Sequence, residues 1–181
     1  KGRVGGALVP GDKIAVVGAS GNVGKLVALR LSDTYKVNGI VRDVSSVEGF
    51  FEGREDKISL FEANLLEEMK EGGESCPDSL RPALRDASAL VICTGTTAFP
   101  TKAWTKSEEN DISGDVLGVL VQNGFKVKDA IASLDEKGFN TPNNVDAKSN
   151  AFIVNAWNNA CEVAQKRAIM LSSIGVQRRD S

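Results

Sequence analysis

Lys13 to Arg42, KIAVVGASGNVGKLVALRLSDTYKVNGIVR, passes from a continuous apolar run through a glycine-rich turn into a helical pattern. The run Ile14-Ala15-Val16-Val17 has the character of a buried parallel strand and stops at Gly18. Gly18, Gly21 and Gly24 follow at spacings of three, and from Asn22 to Leu31 the apolar residues Val23, Leu26, Val27, Ala28 and Leu31 recur at helical intervals. The order is strand, glycine turn, helix. The first glycine lets the chain turn off the strand, the second admits a phosphate close to the backbone, and the third lets the helix pack tightly on the sheet. The free N–H groups and dipole at the start of the helix then face that phosphate.

A second strand, Lys36 to Val41, ends in Arg42-Asp43, about where the adenosine ribose of a bound dinucleotide would lie. An acidic residue closing this strand would favour a free 2′-hydroxyl. Arg42 comes first, and its fork suits a 2′-phosphate, so the reading favours NADP(H) over NAD(H). Asp43, one position on, can still cap the ribose. Gly18, Ser20, Gly21, Asn22, Val23, Gly24 and Arg42 are the candidate cofactor contacts here, and the alternative is a glycine-bearing turn that holds no nucleotide.

At 181 residues the chain reads as one domain, 1–181, long enough to bury a full core. A net charge of -2 gives no electrostatic reason to expect nucleic acid or an anionic membrane surface. Cys76, Cys93 and Cys161 are odd in number and widely spaced, which reads as reduced free thiols in a reducing compartment. There is no histidine, so Ser-His-Asp and Cys-His catalysis and imidazole zinc sites are excluded within this chain. No apolar run approaches the ~18 residues of a membrane-spanning helix. The chain begins at Lys1, so any N-terminal targeting segment is expected to have been processed, trimmed or left out.

Lys1 to Gly11, with four glycines and a proline, reads as an arm leading into the first strand. Lys57 to Phe61 reads as a third strand running into Asn64 and Leu65, where Asn64 can offer adenine an acceptor and a donor. Glu67 to Asp78 reads as a charged loop, and Pro77 to Leu84 as a helix interrupted by Pro82. Ala87 to Cys93 is a fourth strand ending in Cys93-Thr94-Gly95, small residues that allow a cofactor to lie across the strand ends. Cys93 reads as a core filler more than a nucleophile. Val116 to Gln122 and the amphipathic Lys126 to Lys137 suggest a helical hairpin inserted over 105–139. A long helix from Asp146, with Phe152, Ile153, Ala156, Trp157, Ala160 and Val163 as its stripe, leads through Arg167 to a fifth strand, Ala168 to Leu171, and then to Ser172-Ser173-Ile174-Gly175. The fold expected is α/β, a Rossmann-type parallel sheet of order 3-2-1-4-5 flanked by helices, with a helical insertion after strand 4.

Gly18-Ala19-Ser20-Gly21-Asn22-Val23-Gly24, Val41-Arg42-Asp43, Cys93-Thr94-Gly95 and Leu171-Ser172-Ser173-Ile174-Gly175-Val176 together resemble the atypical, NmrA-like branch of the short-chain dehydrogenase/reductases. VICTGTTAFPTKAW and SSIGVQRRDS are similar to a group of plastid NAD(P)-binding proteins of plants and algae, which implies a chloroplast location. In that group the TGTTAFP-x-x-x-W stretch is succeeded within a few residues by the counterparts of Asn140-Thr141-Pro142 and Val145-Asp146. By that pattern the segment Thr105 to Phe139 is an insertion.

Two departures bear on chemistry. Active members usually carry a Tyr-x-x-x-Lys pair in the helix after strand four, or a family-specific substitute, but the only tyrosine here is Tyr35, before strand two. Ser172 and Ser173 match the family's strand-five serine and are the catalytic candidates, though alone they can only orient a substrate; Ser172 is also a cofactor candidate. The family's C-terminal substrate half is expected to be absent after Ser181. Two classes of function compete: an NADP-binding structural, assembly or redox-responsive subunit of a larger complex, or the cofactor half of an NAD(P)H-dependent oxidoreductase. A degenerate fold with an empty site is the third. The apolar segment VLGVLVQ and an exposed strand edge at Ala168 to Leu171 point to contacts beyond the domain, with either a C-terminal half or a protein partner. The alternative is a hairpin that closes over the cleft and buries its own apolar face.

Overall fold

The computed structural model describes residues 7–71, 75–96, 104, 112–164 and 166–171. Five strands, β1 (Lys13–Val17), β2 (Lys36–Val41), β3 (Ile58–Glu62), β4 (Ala87–Ile92) and β5 (Arg167–Met170), form one sheet of order β3-β2-β1-β4-β5 with every pairing parallel. This is the α/β Rossmann-type arrangement expected from the sequence. The inner strands are apolar along most of their length because a parallel sheet is covered on both faces. The order turns back between β1 and β4, which opens the usual ligand crevice at their carboxyl ends.

The chain divides into two compact units, one made of Lys1–Thr94 with Ile153–Ser181 and the other of Gly95–Phe152. The first contains the sheet. Its core gathers Ile14, Val16, Val37, Val41, Phe51 and Val91, with Tyr35 packed against them. Helix α1 (Asn22–Ser32) forms where its periodicity places it, but the residues it buries are Gly24, Ala28 and Ser32. Val23 and Leu26 of the apolar stripe lie outward, 48% and 64% exposed. The reason is proximity, since a face of small residues lets the helix backbone settle close to the sheet.

Several boundaries differ from the sequence reading, each for a local reason. Lys57 donates its amide to Arg54 and closes a turn, so β3 begins at Ile58. Glu67 to Glu71, expected as the start of a charged loop, belongs to helix α2 (Leu65–Glu71). Asn64 starts it by accepting the amides of Glu67 and Glu68 on its carbonyl, and those two acidic side chains sit favourably at a helix N-terminus. Pro82 does not interrupt helix α3 (Arg81–Leu84) but lies in its first turn, where a missing N–H costs nothing. A 3-10 turn, Glu48–Phe51, joins β2 to β3.

The second unit holds α4 (Ile112–Gln122) and α5 (Val127–Glu136), which pack around Trp104, Val119, Ala130, Leu134 and Phe139. The hairpin expected over 105–139 therefore has its own core, although Leu117 and Val121 on α4 remain exposed. Asn123 fastens its turn by donating to the Val119 carbonyl and to Ser133 Oγ. The following helix starts before Asp146 as a π-helical segment, Asn143–Ser149, and continues as α6 (Asn150–Ala160). Asn144 donates to the carbonyls of Asp135 and Phe139, which ties the end of α5 to this segment. The boundary between the units falls within α6, whose later residues Ile153, Ala156, Trp157 and Ala160 are buried as the stripe predicted. Trp157 Nε1 donates 3.1 Å to the Ala87 carbonyl of β4.

β5 lies at the sheet edge, one position earlier than expected, and Leu171 still donates its amide to Ile92. Ile169 and Met170 are 54% and 57% exposed, and Leu171 is exposed too. Among the described residues no helix is long and apolar enough to cross a membrane.

Candidate functional site

The glycine turn is built by backbone bonds alone. Gly18 leaves β1 at φ +75°, and its amide and that of Ala19 both donate to the Ile40 carbonyl at the end of β2, at 3.0 and 3.3 Å. Gly21 then donates to the Gly18 carbonyl and accepts the amide of Lys25, the first bond of α1. The amides of Asn22, Val23 and Gly24 precede any intrahelical acceptor, no side chain caps the helix, and its first turn contains no acidic residue. Three donors at the positive end of an eleven-residue helix thus remain available to an anion.

Ser20 is half-buried within the turn. The end of β4 comes against the turn: Cys93 donates its amide to Val17, and Thr94 stands so close to Gly18 that a side chain there would meet its amide at 3.1 Å. Gly18, Gly21, Gly24, Cys93 and Thr94 are therefore brought together at the carboxyl ends of β1 and β4. The Cys93 thiol is half-buried and burial pushes its pKa up, which suits a filler and opposes thiolate chemistry.

At the end of β2, Arg42 is exposed and makes no hydrogen bond or ion pair among the described residues. Asp43 is not free in the same way. Its Oδ1 accepts both the amide and the hydroxyl of Ser45, at 2.8 and 2.7 Å, and the Ser45 hydroxyl bond is the main reason its carboxyl is held below the usual range. Asn64 caps α2 with Oδ1, 3.3 Å from the Leu66 amide, so its acceptor is engaged and its Nδ2 donor is what it has to offer. Leu65 is buried, which restricts any contact with a ligand to its backbone.

Gly95 belongs to the second unit, where Asp146 Oδ1 accepts the Thr96 amide at 3.2 Å and lies beside Gly95. Residue 146 is exposed as a whole, while its carboxyl is partly desolvated and its pKa raised on that account. Thr96 Oγ1 is buried without a hydrogen-bond partner among the described residues. The sequence reading used Asp146 as the start of a helix, because one carboxylate in a polar stretch has no periodic signal. Ser172 and Ser173 lie outside the described residues.

The architecture has counterparts among solved structures. A short-chain dehydrogenase/reductase family protein aligns over 92% of this chain and 57% of its own, with 14% identity and a TM-score of 0.56. A short-chain dehydrogenase/reductase from Saccharomyces cerevisiae aligns over 92% and 55%, with 15% identity and a TM-score of 0.54. The negative transcriptional regulator NmrA, solved in complex with NAD, aligns over 47% of this chain and 24% of its own, with 18% identity and a TM-score of 0.37. The fold is thus of the Rossmann type found in the two short-chain dehydrogenase/reductase structures. The chain spans little more than half the length of the two short-chain dehydrogenase/reductase structures. No protein-family model and no curated protein sequence matches it.

Proposed function

We propose that this chain binds a nicotinamide dinucleotide, NADP(H) in preference to NAD(H), and serves as a structural, assembly or redox-responsive subunit of a larger plastid complex. One observation carries the cofactor reading: an Arg42 guanidinium unpaired among the described residues follows β2, and the helix start after the glycine turn offers three unshared amides. The pyrophosphate would take those amides, and a 2′-phosphate would take Arg42. The subunit reading rests on Tyr35 being the only tyrosine and on the apolar edge of β5, with Ile169 and Met170 in solvent. The exposed Leu117 and Val121 of α4 give the 105–139 segment a second surface for a protein partner. The plastid location rests on the resemblance of VICTGTTAFPTKAW and SSIGVQRRDS.

A second reading, the cofactor half of an NAD(P)H-dependent oxidoreductase, is favoured by the fold shared with short-chain dehydrogenase/reductase structures. Ser172 and Ser173 remain its candidate orienting groups.

Fluorescence titration with NADPH and NADH tests the main reading. Arg42→Ala removes a charged hydrogen bond of about 1.5–3 kcal/mol and should weaken NADPH roughly tenfold or more, with NADH hardly changed. Equal loss of both cofactors would remove Arg42 from the site, and binding of neither by the unaltered protein would remove the site. NADPH consumption with a panel of quinones and carbonyl compounds separates the readings, since sustained turnover would favour the enzyme.

A further inference from the structure

Two carboxylates lie close to Arg42, and neither pairs with it. Asp43 is its neighbour in sequence, and Glu62 ends β3 opposite Val41 in the strand register. Glu62 Oε2 accepts the Val44 amide at 3.2 Å, and Asp43 Oδ1 accepts two bonds from Ser45. Ser46 completes the turn by donating its hydroxyl to the Asp43 carbonyl at 2.8 Å. The two carboxylates nearest Arg42 in chain and register are thus engaged by the amides and hydroxyl of the Val44–Ser45 turn and not by the exposed guanidinium.

We propose that Ser45 is a specificity-determining residue for the dinucleotide: by holding the Asp43 carboxylate inside the loop, it keeps Arg42 unpaired for a 2′-phosphate. The inference rests on the NADP(H) reading and extends it from one residue to three. Once released, Asp43 has two alternatives, and both work against NADPH. It can pair with Arg42, or it can turn toward the ribose, where a carboxylate accepts from a 2′-hydroxyl and repels a 2′-phosphate. Ser45 is a positioning residue in this arrangement and need not touch the cofactor, because its hydroxyl proton is already committed to Asp43. The depressed pKa of Asp43, caused first by the Ser45 hydroxyl, agrees with a carboxylate bound tightly in the turn.

The experiment is a fluorescence titration of NADPH and NADH against the unaltered protein, Ser45→Ala, Ser45→Thr and the double variant Ser45→Ala/Asp43→Asn. Ser45→Ala should lower the preference for NADPH roughly fivefold by weakening NADPH, with NADH held or improved. Ser45→Thr keeps the hydroxyl and should keep the preference. The double variant removes the carboxylate that was released and should regain the preference, which a purely structural defect in the loop would not allow. A preference that survives Ser45→Ala, or an equal loss of both cofactors that Asp43→Asn fails to rescue, overturns the inference alone. An unaltered protein that binds neither cofactor, or binds NADH more tightly, overturns the NADP(H) reading and this inference together.

Discussion

Gly24 lies so close to Gly18 that a β carbon built on it would overlap the Gly18 carbonyl oxygen and stand 2.9 Å from the carbonyl carbon. Both obstacles are backbone, so no side chain can move aside. Gly24→Ala should therefore destabilise the protein at or above the upper end of the ~1–3 kcal/mol usual for overpacking. That corresponds to a fall in Tm of roughly 6–12 °C. Gly49→Ala is the control, because a β carbon there meets nothing within 4 Å. Comparable melting of the two variants would contradict the close approach of helix to turn.

Trp157 Nε1 and Cys161 Sγ both donate to the carbonyl of Ala87, at 3.1 and 3.3 Å. Trp157→Phe removes the stronger donor from a buried site and should cost about 1–3 kcal/mol. Since Cys161 serves the same oxygen, adding Cys161→Ala should cost more in the Trp157→Phe background than alone. Strict additivity in chemical denaturation would show that the two donors do not share the carbonyl.

Asp146 and Asp33 should give stability opposite dependences on pH. Partial desolvation raises the Asp146 pKa, so the folded protein holds this proton more firmly than the unfolded chain. Its contribution is complete below the ordinary carboxylate range and is lost as pH rises through the raised value. Asp146→Asn should then be more stable than the unaltered protein at neutral pH, with the gap closing in acid. Asp33 is lowered, first by its hydrogen bond from Arg54, so its contribution is present above the ordinary range and disappears as pH falls through the lowered value. Thermal melts of Asp146→Asn and Asp33→Asn across the acid-to-neutral range check both signs, and parallel curves would refute them.

Ile169 projects from the sheet edge into solvent. Ile169→Lys should leave Tm within about 1 °C, because little buried area is lost, and should reduce self-association in light scattering. A large drop in Tm would mean that this strand is covered in the isolated protein.

Much of the fold was legible in the sequence because it rests on period and punctuation. The apolar runs at Ile14 to Val17 and Ala89 to Ile92 can only be buried parallel strands once a glycine turn follows the first, and the sheet order follows from the crossovers. The glycine spacing located the turn for the same reason. The contacts that escaped depend on which way a side chain turns. Asn64 reads equally as an adenine contact and as a helix cap, and its bond to the Leu66 amide decides for the cap on one atom. Val23 and Leu26 carry the apolar period of α1, yet Gly24, Ala28 and Ser32 face the sheet, because proximity there outweighs the burial of larger groups. Asp146 is a single polar residue in a polar stretch, and only the fold brings Thr96 to it, whereas Ser45 meets Asp43 two residues back through a choice of rotamer that the sequence leaves open.

The placement of β5 also governs how this protein must emerge from the ribosome. β4 pairs on one side with β1, which precedes it in the chain, but its partner on the other side begins only at Arg167. Roughly 75 residues separate the two strands, so at ~5–20 residues per second the outer edge of β4 waits about 4–15 seconds for its neighbour. Until then the backbone N–H and C=O groups that Leu90, Val91 and Ile92 turn toward β5 have no strand to pair with. Trp157 of α6, whose indole donates to the Ala87 carbonyl, precedes β5 in the chain, so a contact to the start of β4 is made available before its strand partner is.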